Sequence, residues 1–175
     1  EYQAVYNTPV NCCSLNDYLA CAQAAILLMQ TKEQLIDATL DVIRQLEADH
    51  VIYAELRFAP LQHLTKGLTP EEVVEATLEA VHAYAGPVKV NLILCTLRHF
   101  TKEQSDLTAD LVITYAANGV VGLDLAADEA GFGLENHQAA FKKVNAHGIS
   151  CTAHAGEARG AESVIETLSL LRAKR

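Results

Sequence analysis

His154 and Glu157 lie close together inside Cys151-Thr-Ala-His-Ala-Gly-Glu-Ala-Arg-Gly-Ala-Glu-Ser-Val164. An imidazole lone pair can bind a metal ion, and a carboxyl group can carry a proton to a reacting atom. Gly156 stands between them and lets the backbone bend, so both side chains can face one point. The segment is apolar and β-prone over residues 149–153, passes through small residues, and opens an amphipathic run over 161–171. That order predicts a buried strand, a tight loop and a helix, with the polar groups at the strand's C-terminal end. A satisfied structural histidine beside a helix-N-terminal glutamate fits the same residues, and the spacing alone leaves both readings open.

Elements with matching periodicity precede this segment. Residues 1–13 carry no period and include Pro9, which reads as a leading loop. Ser14 suits a helix N-cap, with Leu15, Tyr18, Leu19 and Ala22 at helical spacing behind it. Thr31-Lys-Glu-Gln34 predicts a capping box opening a second helix to about Asp49. Strands are expected over 51–58, 88–95, 120–126 and 149–153, and helices over 69–84, 102–118, 135–147 and 161–172. Pro70 at a first helical position and Gly119 after a helix end support those boundaries.

Strands alternating with longer helices mean βαβ units and a parallel sheet. No Gly-x-Gly-x-x-Gly or Walker lysine follows any strand, which disfavours a nucleotide-phosphate site. Instead, each predicted strand ends in charged or polar residues: Glu55 and Arg57, then Arg98 and His99, then Asp124, Asp128 and Glu129, then His154 and Glu157. Polar groups converging at strand C-termini are the pattern of a TIM-barrel active face. A full barrel needs eight strands and about 250 residues. The expected fold is therefore α/β, a partial (β/α)8 barrel of about four βα units behind a leading helical segment at about 14–49, read as one domain over residues 1–175.

Composition narrows the partners. The chain has 22 acidic and 13 basic residues and a formal net charge of −9. That opposes a nucleic-acid or anionic-membrane surface. No apolar run reaches the roughly 20 residues of a membrane helix, and the first residues do not read as a signal peptide. Cysteines at 12, 13, 21, 95 and 151 form no Cys-x-x-Cys pair, so a reduced, cytoplasmic protein is expected, with Cys95 and Cys151 as small core residues.

Four stretches resemble the adenosine deaminase family in order and spacing. They are Val51-Ile-Tyr-Ala-Glu-Leu-Arg-Phe-Ala-Pro60, Leu94-Cys-Thr-Leu-Arg-His99, Gly122-Leu-Asp-Leu-Ala-Ala-Asp-Glu-Ala-Gly-Phe132 and the segment from His154 to Val164. Together they cover about residues 15–172. The resemblance implies zinc-dependent hydrolytic deamination of adenosine, or a related 6-aminopurine nucleoside, to the 6-oxo product. It implies His154 as a zinc ligand and Glu157 as the proton donor to the purine ring. The family's zinc is held by three His and one Asp; its His-x-His ligands would lie before residue 1, and its base histidine and late Asp pair after residue 175. Strands two to five of eight are thus implied, and one ligand alone is not expected to hold zinc.

The covered part departs from the family at two places. Ala127 stands where the family has a glycine whose N–H faces the purine, so a Cβ there would crowd the substrate. Residues 22–25 are small or polar where the family lines its nucleoside pocket with bulky apolar groups. Around the site, Asp124 is expected to orient a metal ligand or cap a loop, and Asp128 and Glu129 to organise loops. Arg57 and Glu55 read as a buried ion pair or a ligand contact, the pair favoured, with Arg57, like Asp124, Asp128 and Glu129, also a candidate to support the site from behind. Arg98 and His99 are expected to shape their loop. His63, His82, His137 and His147 lack ligand-like spacing and read as surface residues. The competing reading is a catalytically inactive fragment or scaffold that binds partners, including itself, through open sheet edges.

Overall fold

Side-chain caps start the leading helices where the sequence places them. The computed structural model describes Cys12 and residues 14–175, so the loop read for residues 1–13 lies, Cys12 apart, outside the described residues. Helix α1 (Leu15–Ile26) begins at Ser14, whose hydroxyl accepts the Asp17 N–H, and α2 (Lys32–Ala48) begins at Thr31, which accepts the Gln34 N–H. The second start is only half a capping box. The Gln34 side chain accepts from Gln30 N–H at 3.1 Å. Gln30 is fixed there because its buried amide bridges the Ile26 and Gln62 carbonyls and Thr65. Complete boxes open α3 (Pro70–Ala83, Thr69 with Glu72) and α4 (Lys102–Thr114, Thr101 with Gln104).

Strands β1 (Tyr53–Phe58), β2 (Lys89–Leu97), β3 (Val120–Ala126) and β4 (Ser150–Cys151) form one parallel sheet in that order. Helix α5 (Gln138–Ala146) connects β3 to β4, and α6 (Ala161–Leu171) follows β4. The helix expected over 102–118 is α4 plus a 3-10 turn (Ala116–Asn118), closed by Gly119 at φ 115°. α5 starts later than expected, at Gln138. β4 is regular for only two residues, yet the Thr152 and His154 N–H groups still donate to the Leu123 and Leu125 carbonyls at 2.9 and 2.8 Å. That continuation delivers His154 to the C-terminal end of β3.

Strand alternation sorts the side chains. Leu92 and Leu94 of β2 and Leu123 and Leu125 of β3 pack under the helices with Val74, Leu78, Val112, Phe141 and Val144. The residues between them face the other way: Cys95, Leu97 and Ala126 form a second cluster with Ala59 and Phe100. Asp124 lies on that second face, paired in register with Cys95. One face of the sheet therefore packs the larger core, and the other carries a smaller apolar cluster together with Asp124.

His63 and His137, read as surface residues, are buried at 4% and 0% exposure; His82 and His147 are exposed as expected. Burial is tolerated because each buried ring is hydrogen-bonded as a neutral imidazole. His63 Nδ1 donates to the Met29 carbonyl at 2.7 Å. His137 Nε2 donates to the Arg98 carbonyl at 3.1 Å, so its Nδ1 accepts from Ser105 Oγ at 2.6 Å, and Ser105 in turn accepts from Thr96 Oγ1 at 2.8 Å. Burial holds the pKa of both rings below the ordinary histidine value.

Candidate active site

An open cleft of about 640 Å³ lies across the C-terminal strand ends. Its walls include Tyr18, Leu19 and Ala22 of α1, Arg57 of β1, Ala127 and Asp128 after β3, and His154 and Glu157 after β4. Of the strand-end residues singled out in the sequence, Arg57, His99, Asp128, His154 and Glu157 share this cavity, while Glu55, Arg98, Asp124 and Glu129 do not line it, and α1 closes one side. Gln23 is also on that wall, so small and polar residues line the helix where bulky ones were the family expectation.

His154 is held from behind. Its Nδ1 lies 3.1 Å from the Leu125 carbonyl and 3.2 and 3.3 Å from the two Asp124 carboxylate oxygens. A carbonyl only accepts, so Nδ1 carries the hydrogen and the neutral ring keeps its lone pair on Nε2. Hydrogen bonding to Asp124 raises the His154 pKa, against burial and the nearby Arg57 charge. Asp124 is fully buried, and it is satisfied by three neighbours: His154, Arg57 Nη1 at 3.3 Å and Cys95 Sγ at 3.4 Å. Arg57 therefore does not pair with Glu55, whose carboxylate meets Arg175 instead. Both strand residues have the sidedness the sequence implies, but the carboxylate opposite Arg57 comes from β3.

Glu157 is exposed at the cleft, on the loop between β4 and α6. Gly156 beside it sits at φ 81°, and a Cβ there would come within 2.8 Å of Val164 Cγ2. Only glycine fits that turn without displacing α6. Glu129 lies outside the cleft, buried at 2% exposure beneath this loop. Its carboxylate accepts the N–H groups of Gly156, Ala158 and Arg159 at 2.7, 2.6 and 3.0 Å, together with the Ser163 hydroxyl. Burial opposes ionisation, but those four donors outweigh it and hold the Glu129 pKa at about 2. Asp128 accepts from the Ala130 and Gly131 amides and shapes its own turn. Arg98 is buried and reaches across to the His154 carbonyl, while His99 stays exposed against Phe132, ring centroids 6.1 Å apart.

Ala127 adopts φ 79°, a left-handed conformation that costs an L-residue about 1–2 kcal/mol. Glycine pays back part of that gain through unfolded-chain entropy, so Ala127→Gly is expected to stabilise the fold by about 0.5–1 kcal/mol. A rise in the urea midpoint at constant m-value checks this; a fall would show that the alanine methyl packs favourably enough to offset its backbone.

The described residues fit one corner of a zinc site. His154 presents an available Nε2 with its other nitrogen bonded to a carboxylate and a carbonyl, the arrangement that orients metal-ligating histidines. Among the described residues no group of three or more His, Cys, Asp or Glu is gathered as a metal site. A tetrahedral centre would need its remaining ligands from elsewhere.

The family model for adenosine deaminase matches residues 2–175. The chain belongs to the adenosine deaminase family. An adenosine deaminase of Clostridium acetobutylicum is 39% identical over 177 residues, covering all of this chain and 53% of that protein. One from Haemophilus ducreyi is 37% identical, covering 94% of this chain and 50% of that protein. The chain thus spans about half the length of the curated relatives it matches. Among solved structures, an adenine deaminase from Arthrobacter aurescens superposes with a TM-score of 0.87 at 22% identity, over the whole chain and 53% of that protein. An amidohydrolase from Burkholderia ambifaria with bound zinc gives 0.87 at 21% identity, over the whole chain and 49% of that protein. These likenesses establish the fold as part of a TIM barrel. Among the described residues no helix is long and apolar enough to cross a membrane.

The cleft brings together Arg57, His99, Ala127, Asp128, His154 and Glu157, which the sequence reading singled out, and it is also lined by His63, Met29 and Gln62, which that reading did not place there. The Arg57–Asp124 contact, the reach of Glu129 and the buried Thr96–Ser105–His137 chain join residues far apart in sequence. No local spacing signals them.

Proposed function

We infer that this chain supplies the proton donor and one zinc ligand of a hydrolytic deaminase acting on adenosine or a related 6-aminopurine nucleoside. The observation that carries the reading is the His154–Asp124 arrangement, which leaves Nε2 available on the same cleft as Glu157, in a chain of this family. In this reading His154 binds zinc through Nε2 while Asp124 and the Leu125 carbonyl hold the ring orientation. Zinc, when bound, supplies the Lewis acidity that makes water a nucleophile near neutral pH. Glu157 would be the proton donor to the purine ring nitrogen in a hydrolysis in which water supplies the 6-oxygen and its proton passes to the leaving 6-amino group, released as ammonia. Ala127 and Asp128 form the wall against which the base rests. Buried Cys95 and Cys151 pack as thiols in the core, in keeping with a cytoplasmic location.

A second reading has its own observation. With a single ligand gathered among the described residues, the 175-residue chain by itself is an incomplete site. As a scaffold it would associate through β1 and β4, the two strands with one neighbour each.

The test uses a chimera in which residues 1–175 replace the matching half of the Clostridium acetobutylicum relative. In it, Glu157→Gln is expected to lower kcat by about 10²–10⁴-fold with zinc content unchanged. An unaltered kcat would remove Glu157 from the proton-donor role.

A further inference from the structure

We propose that Arg98 and Glu129 form a buried clamp that positions Glu157 and His154 from beneath the cleft. The inference rests on the deaminase reading for what the clamp serves, but not for the clamp itself. Glu129 does not touch the cleft, and the family resemblance gives it no catalytic task. Its contacts are nonetheless concentrated on the functional loop. It accepts the N–H groups of Gly156 and Ala158, the residues immediately before and after Glu157, and then those of Arg159 and, by its hydroxyl, Ser163 in the first turn of α6. Arg98, at 1% exposure, continues the same structure. Its Nη2 donates to the His154 carbonyl at 2.9 Å and lies 3.6 Å from Glu129, while Nη1 donates to the Phe132 carbonyl at 3.3 Å.

The carrier elements explain the purpose. Arg98 follows the end of β2, and Glu129 follows the end of β3, so both are anchored to the rigid sheet. The loop that they hold follows β4, whose regular pairing covers only two residues. Glu157 is exposed on a loop behind this short strand, and misplacement by about 1 Å can cost about a hundred-fold in rate. A pair kept solely for stability has no need to bracket Glu157. Burying two charges against backbone groups of one loop is expensive, because each charge leaves water and must be fully partnered. Among the described residues Arg98 Nε is even left without a hydrogen-bond partner. The donors and acceptors converge where the chemistry needs a fixed backbone. Arg98 and Glu129 are positioning residues.

Amide exchange on the 175-residue chain tests the clamp without reference to activity. In Glu129→Gln the Gly156, Ala158 and Arg159 amides should exchange about ten- to a hundred-fold faster, while those of Leu123 and Leu125 in β3 keep their rates. Ser163→Ala leaves the charge pair intact and should give a smaller increase at the same three amides; it decides the matter if Glu129→Gln does not fold. Unchanged exchange at these amides overturns the clamp. In the zinc-loaded chimera, Glu129→Gln should lower kcat about a hundred-fold with KM nearly unchanged. A loss confined to KM, or no loss, overturns the positioning role. If the parent chimera does not deaminate adenosine at all, the deaminase reading fails, and the exchange rates still decide the clamp.

Discussion

Asp124→Asn will weaken zinc binding through His154 by about ten- to a hundred-fold. The substitution keeps the volume of a fully buried side chain and removes its charge. His154 then loses the carboxylate that favours a hydrogen on Nδ1, while the Leu125 carbonyl at 3.1 Å still accepts it. The ring orientation is therefore loosened rather than lost, which places the effect toward the lower end of the range. The same change strips Arg57 of the one carboxylate it pairs with among the described residues and leaves Cys95 Sγ facing an amide. Stability should fall by about 1–3 kcal/mol, the cost of leaving buried polar groups imperfectly paired. Competition for zinc with a chelating dye in the chimera reads the first effect, and urea unfolding of the 175-residue chain reads the second. An unchanged zinc affinity would mean that the Leu125 carbonyl alone orients the ring.

Acid will remove a large part of the chain's stability through Glu129. Its folded pKa is about 2, and an unperturbed glutamate in the unfolded chain titrates near 4.3. A depressed folded pKa means that the unfolded state binds the proton more readily. The contribution, about 3 kcal/mol, is therefore fully present above roughly pH 5 and is lost as the pH falls toward 2. His63 and His137 act earlier and in the same direction. Their folded pKa values are also depressed, so the unfolded state takes up protons first as pH drops below about 6.5. The two sources separate by mutation: Glu129→Gln should flatten the loss between pH 5 and 3 and leave the loss around pH 6 in place. Equal slopes in parent and variant between pH 5 and 3 would show that the Glu129 contacts contribute nothing in acid.

The parts of the fold that follow from local rules were legible in the sequence. Thr69 and Pro70 announce α3, and the β-prone, mostly apolar run at 120–126 is β3 to the residue, because caps and strand patterning are written in neighbouring positions. The strand-end residues Arg57, Asp124, His154 and Glu157 were legible for the same reason. Strand alternation, however, gives a side chain's face and not its partner. Arg57 finds Asp124 across β2, and Glu129 reaches contacts 27 to 34 residues later in the chain, so both were misplaced or only half understood. His137 illustrates the other limit: a histidine's burial depends on whether Ser105 and the Arg98 carbonyl happen to converge on it.

The central claim is that residues 1–175 carry the His154 and Glu157 half of a zinc-dependent adenosine deaminase. Inosine formation from adenosine by the zinc-loaded chimera with the Clostridium acetobutylicum relative measures this most directly. The account predicts one zinc per chain and steady inosine release, both lost in His154→Ala. A folded chimera that holds its zinc yet releases no inosine would contradict it.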